Sequence, residues 1–160
     1  MENLERFLKL SYVPRWVIVD RRKEQSVADH SFRVAAITVA LLDEVHRVQH
    51  VDDDVRHRAL WRAVSHDLDE AESGDIPTPY KAKMGPELSV KPPVFADEVV
   101  SVADTLEALI FIDRYIVRPV GLWQEHMKVL HTKTGRVLDH FGVDLTEAIT
   151  KVLACGRDHV

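Results

Sequence analysis

The chain has 160 residues, 46% hydrophobic and 29% charged, enough for one domain with a proper core. Its net charge is −5 and its 21 basic residues are scattered, which excludes a duplex-binding module: that would need a basic stripe to displace counterions. The charged N-terminus lacks a signal-peptide core and no apolar run approaches a membrane span. The single cysteine, Cys155, allows no intrachain disulfide, so a single domain over residues 1–160 in a reducing cytoplasm is expected, with no membrane partner.

Apolar residues recur at helical spacing along the chain, which predicts an all-α fold, a compact bundle of about six helices. A first helix is expected from Glu2 to about Leu10, burying Leu4, Phe7 and Leu8 and ending before Pro14. The run Arg15-Trp16-Val17-Ile18-Val19 is strand-like but short and isolated, so it reads as extended loop. Ser26-Val27-Ala28-Asp29 is a capping box with Asp in place of Glu, and it opens the longest helix. Val34, Ile37, Leu41, Val45 and Val48 form the inward stripe of that helix, and His30 lies one turn before Val34. Asp52, Asp53 and Asp54 favour the next helix N-terminus. That helix carries Leu60, Trp61 and Val64 into His66-Asp67 and is expected to end near Gly74.

Five of the seven prolines fall between Asp75 and Pro93, a stiff loop. Helix resumes at Val94 or Phe95 with Val99, Val102, Leu106, Leu109 and Ile110 on its apolar positions and Asp104 in its middle. Pro119-Val120-Gly121 breaks the pattern before a helix from Leu122 to about Leu138. Asp144-Leu145-Thr146-Glu147 reads as a second capping box starting the last helix. Trp61 and Trp123 are expected in the core, Cys155 as packing, Asp69 and Glu72 in solvent, and the remaining histidines at the surface.

His30, His66, Asp67 and Asp104 come from three separate predicted helices. Two imidazoles and two carboxylates suit one divalent transition metal ion such as Zn, Mn, Fe, Co or Ni, with positions left for water and substrate. The bland alternative makes both histidines core residues bonded to backbone carbonyls and Asp104 a helix-surface residue. A carboxylate among Val100, Ala103, Leu106 and Ala108 is harder to dismiss, because buried it must be paired or bind a cation. Glu70, one helical turn beyond His66 and Asp67, suits a general base. Asp75 is either a turn former or a group that holds water or protonates a leaving oxygen. Arg15 can grip a phosphate and Trp16 can offer a flat face to a sugar or base; otherwise Arg15 is solvated and Trp16 is core.

The spaced set Arg15-Trp16, Ser26-Val-Ala-Asp-His30-Ser31, His66-Asp-Leu-Asp-Glu70, Gly74-Asp-Ile-Pro-Thr-Pro-Tyr-Lys81 and Ala103-Asp104 resembles the HD-domain metal-dependent phosphohydrolases. Within them it is similar to the bacterial 5′-deoxyribonucleotidase branch and its phage relatives that strip triphosphate from dATP. The resemblance spans residues from about 15 to 110. It implies a helical bundle, often a homodimer, with the metal on His30, His66, Asp67 and Asp104. It implies further that Glu70 activates water, Asp75 assists at the scissile oxygen, Arg15 holds phosphate and Trp16 packs on the sugar and disfavours a 2′-hydroxyl. Substrate contact is extended to Ile18, Thr78, Pro79 and Lys81. The segment between the Gly74-Asp75 turn and Asp104 is shorter than in bacterial members, and a shorter lid leaves room for a triphosphate tail. The leading expectation is a dNMP phosphohydrolase, with a dNTP triphosphohydrolase as the first rival. The second rival is a non-catalytic nucleotide-binding helical module, against which intact Glu70 and Asp75 argue.

Overall fold

The structure, a computed structural model, describes residues 1–75 and 92–157, apart from the side chains of Glu2 and Arg157. Its helices are α1 (Glu2–Lys9), α2 (Val27–His46), α3 (Asp53–Ser65), the single turn α4 (Glu70–Ser73), α5 (Phe95–Tyr115), α6 (Val120–Phe141) and α7 (Thr146–Arg157), with a 3-10 turn at Leu10–Tyr12. The only β pairing among the described residues is two isolated bridges, Pro14 with Ser26 and Arg21 with Ile116. The all-α expectation holds. No helix among the described residues is long and apolar enough to cross a membrane.

Helix α5 is the axis of the molecule and packs against α2, α3, α6 and α7. Val99, Val102, Leu106 and Leu109 recur at helical spacing and are completely buried, which stabilises the fold by roughly 1.5–3 kcal/mol per side chain. Helix α2 starts where the sequence says it should. The Ser26 hydroxyl accepts the Asp29 backbone N–H and Asp29 returns the bond to Ser26 N–H, which closes the capping box at 3.1 Å on both sides.

Several expectations fail, each at a helix edge. In α1, Leu4 and Leu8 are exposed, and the inward residue is Leu10 in the following turn. This helix lies on the rim, with Phe7 edge-on to a Trp61 that is itself mostly exposed rather than core. Val48 is exposed because α2 ends at His46, two residues short of it. The helix carrying Trp61 stops at Ser65, and its continuation to Gly74 is a turn followed by α4. Before α7, Asp144 accepts the Thr146 N–H at 2.8 Å, while Glu147 pairs with Lys151 at 2.9 Å instead of closing a box. Cys155 is exposed, not packed. Trp123 does pack against the core.

Candidate metal centre

Three helices deliver the site. His30 sits in the second turn of α2, His66 is the residue capping the C-terminus of α3, Asp67 follows it in the turn, and Asp104 lies midway along α5. His30 Nε2 is 3.2 Å from His66 Nε2, 3.2 Å from Asp104 Oδ1 and 3.6 Å from Asp67 Oδ2. His66 Nε2 is 3.3 Å from Asp67 Oδ2 and 3.9 Å from Asp104 Oδ1. The ligand atoms of His30, His66 and Asp104 therefore lie within 4.8 Å of one another, and Asp67 brings Oδ2 against both imidazoles.

The second nitrogen of each imidazole decides what that point can hold. His30 Nδ1 donates to Glu107 Oε2 at 2.8 Å, and His66 Nδ1 donates to the Ala63 carbonyl at 2.8 Å. When neutral, both rings therefore turn an Nε2 lone pair toward the other, amid two carboxylate oxygens. Four acceptors this close repel unless a proton or a cation lies between them. A metal bonded at about 2.0–2.2 Å in a tetrahedral site separates its ligand atoms by about 3.3–3.6 Å, close to the spacings observed. The donor set fits a divalent ion.

A metal-free site must use protons instead, and its electrostatics show how. Burial and the Arg15 charge oppose protonation of His30, but hydrogen bonds to Asp104 and Glu107 prevail and raise its pKa. Burial lowers that of His66 despite Asp67 and Asp104. Burial pushes the Asp104 carboxyl up, yet the His30 hydrogen bond and the charges of His30, Lys133 and His66 outweigh it and hold the group well below the carboxylate range. The titrations are coupled through one shared position.

Glu107 supports the centre and sequence reasoning missed it. It is completely buried one turn beyond Asp104, receiving His30 on Oε2 and the Gln25 amide on Oε1 at 2.8 Å, with Arg33 3.1 Å away. A readable signal existed, since Asp104 and Glu107 are two acids at i, i+3 on an otherwise apolar helix. Lys133 was also missed, and no local signal marks it. From α6 it donates to the Ser101 carbonyl and to Thr105 Oγ1 at 2.8 and 2.7 Å, which sets its ammonium 3.6 Å from Asp104 Oδ2.

The other candidates fall on the 13–26 loop and around α4. Arg15 is mostly buried, 3.9 Å from Asp75 Oδ1 and 3.7 Å from Glu107 Oε2, with Nε and Nη1 making no hydrogen bond among the described residues. Trp16 stacks on Phe111 at 5.5 Å with the rings 2° from parallel, and its φ of 61° is left-handed. Holding a bulky residue there costs about 1–3 kcal/mol, the kind of strain that collects at functional sites. The 13–26 loop enforces it: Arg15 N–H donates to the Gln25 carbonyl and the Arg21 guanidinium to the Trp16 carbonyl. His126, expected at the surface, is half-buried near the Trp16 ring. Ile18 is exposed on the same loop. Glu70 is buried at the start of α4, and Gly74 ends that turn with φ 74° and ψ 169°. Asp69 and Glu72 are exposed, as expected, and both also pair with Arg6 of α1 at 2.7 and 2.9 Å. Thr78, Pro79 and Lys81 lie outside the described residues.

Known proteins resemble this chain in sequence and fold. The chain is 32% identical to the dATP triphosphohydrolase of cyanophage S-2L over 69% of each chain. It is 32% identical to a 5′-deoxynucleotidase of Shewanella oneidensis over 46% of this chain, but that match spans only 37% of the nucleotidase. Among solved structures, the cyanophage S-2L HD phosphohydrolase DatZ, bound to dA and one catalytic Zn2+ ion, superposes with a TM-score of 0.68 at 22% identity, covering 95% of this chain and 92% of that one. A conserved hypothetical protein from Pyrococcus furiosus gives a TM-score of 0.60 at 25% identity over 98% of both chains. Residues 7–91, more than half of the chain, match the HD domain model, and the chain belongs to the HD domain family.

Proposed function

We propose that the chain is a divalent-metal-dependent phosphohydrolase that breaks the 5′ phosphoester of a deoxynucleotide and releases the deoxynucleoside. The observation that carries this reading is the cluster of His30, His66 and Asp104, with Asp67 Oδ2 against both imidazoles and the Arg15 guanidinium beside Glu107. The enzymes it resembles, a dATP triphosphohydrolase and a 5′-deoxynucleotidase, support the substrate class. His30, His66, Asp67 and Asp104 would hold the ion. Bound there, a divalent ion supplies Lewis-acid polarisation of a phosphoryl oxygen and makes water acidic enough to attack near neutral pH.

The remaining steps belong to the side chains. Glu70 accepts the proton of the attacking water. The Arg15 guanidinium offers its spare N–H groups to the phosphoryl oxygens as charge builds on them. Asp75 assists at the departing 5′ oxygen, and Trp16 walls the sugar against a 2′-hydroxyl. Ile18, Thr78, Pro79 and Lys81 make the remaining substrate contacts. The leading substrate is a deoxynucleoside monophosphate. A triphosphate is the alternative, favoured by the longer match to the cyanophage enzyme. A homodimer acting in the cytoplasm completes the reading.

The test is turnover of metal-loaded protein on dNMPs, dNTPs and their ribo counterparts, with products resolved by chromatography. Deoxynucleoside with inorganic phosphate is the expected outcome; deoxynucleoside with intact triphosphate would transfer the reading to the alternative. Glu70→Gln should lower kcat by about 10²–10⁴-fold with nucleotide binding retained. Normal turnover by that variant would remove Glu70 from the mechanism. Silence of the metal-loaded wild type on the whole panel would leave a binding module.

A further inference from the structure

A continuous chain of hydrogen bonds joins the tryptophan wall to the metal centre. Trp16 Nε1 donates to Gln25 Oε1 at 2.8 Å, Gln25 Nε2 donates to Glu107 Oε1 at 2.8 Å, and Glu107 Oε2 accepts from His30 Nδ1 at 2.8 Å. Gln25, His30 and Glu107 are all buried, so water does not compete for these bonds. The polarity runs one way. The indole can only donate, which turns the Gln25 oxygen toward it and the Gln25 amide toward the carboxylate. That amide in turn leaves Glu107 its second oxygen for His30, which fixes the tautomer presenting Nε2 to the metal position.

We infer that Gln25 is a positioning residue that couples the orientation of Trp16 to that of His30 through Glu107. It touches neither the metal position nor the substrate approach directly. Two further features fit this role. The Gln25 carbonyl accepts the Arg15 N–H at 2.8 Å, so the same residue also fixes the backbone that presents Arg15 and Trp16. The Trp16 ring stacks on Phe111, with His126 and the Arg15 guanidinium beside it, and these face contacts leave rotation in the ring plane to be fixed by the directional bond from Nε1. The assignment of Trp16 as a substrate wall rests on the proposed function, whereas the link to the metal centre does not.

The experiment is a Zn2+ titration of metal-free protein against a chromogenic chelator. It compares wild type, Gln25→Met, Trp16→Phe and the double variant, with the metal-free melting temperature of each. Methionine keeps the length of Gln25 and removes both polar atoms; phenylalanine keeps the stacking and removes the donor. Gln25→Met should weaken zinc binding about tenfold, the low end for loss of a group behind a ligand, since Arg33 still holds Glu107. Trp16→Phe should weaken it about twofold to threefold although Trp16 lies outside the ligand set, and the double variant should match Gln25→Met alone. Zinc affinity of Gln25→Met within twofold of wild type would overturn the inference. If that variant does not fold, unchanged zinc affinity in Trp16→Phe overturns it instead. Additive losses in the double variant would also overturn it, because the two residues would then act separately. Failure of the proposed function appears elsewhere, as a wild type that binds zinc and turns over no deoxynucleotide.

Discussion

In the proposed function the site has two walls built in opposite ways. The wall that carries the donors is core: His30 and Glu107 are completely buried, and α2, α3 and α5 lock together around them. The wall that carries Glu70 is a single helical turn hung from the rim helix α1. Its anchor is Arg6, which grips Glu72 with two nitrogen–oxygen contacts of 2.9 Å and Asp69 with one of 2.7 Å. Metal ligands must hold their places to within tenths of an ångström, which close packing provides. A proton-transfer group must approach water and substrate, and an ion-paired turn leaves that approach open.

Disrupting each wall should give a different signature, beginning with the buried one. Glu107→Gln removes the charge behind His30, so metal affinity should fall about 10–100-fold while metal-saturated turnover changes much less. Metal titration with turnover at saturating metal separates the two effects, and equal losses in both would erase the distinction between the walls. On the rim, Arg6→Met should leave metal affinity unchanged and lower kcat about tenfold, as a small displacement of α4 moves Glu70. The loss should vanish in a Glu70→Gln background, since Arg6 would then have nothing left to position.

The smallest effect belongs to the cap that aims His30. Ser26→Ala should cost about 1 kcal/mol of stability by denaturant unfolding. The pH dependence has a definite sign. The Asp29 carboxyl is held below its ordinary value of 3.8, first by the Ser26 backbone N–H and then by its hydroxyl. Its contribution is therefore complete above that ordinary value and is lost as pH falls through the lower folded value. The stability gap between wild type and Asp29→Asn should stay constant from neutrality down to about pH 5 and close in stronger acid. A gap that widened in acid would contradict the cap.

The same contrast explains what could be read from the chain beforehand. The donors were legible because each is polar on an otherwise apolar helical stripe: His30 one turn before Val34, Asp104 between Ala103 and Leu106. Glu107 was legible in principle by the same rule. Gln25 and Lys133 were not, because Gln25 meets Glu107 across 82 residues and Lys133 meets Thr105 across 28, distances at which local pattern is silent. The rim misled for a related reason. The Leu4–Phe7–Leu8 spacing of α1 promised a buried face, but Leu4 and Leu8 are exposed and Phe7 is partly covered, edge-on to Trp61. Asp69 and Glu72 are exposed as expected, but their ion pairs with Arg6 were not legible because that partner lies more than sixty residues upstream.

Gly74 carries a consequence for anyone mutating this chain at random. A Cβ placed there would meet no atom of the described residues within 4 Å, so by contact with them the position looks permissive. Its φ of 74° with ψ of 169° nevertheless lies in a region essentially closed to every other residue. A saturation library should therefore report an intolerant position with no close neighbour among the described residues, a constraint written in backbone torsion and missed by a ranking of sites on those contacts.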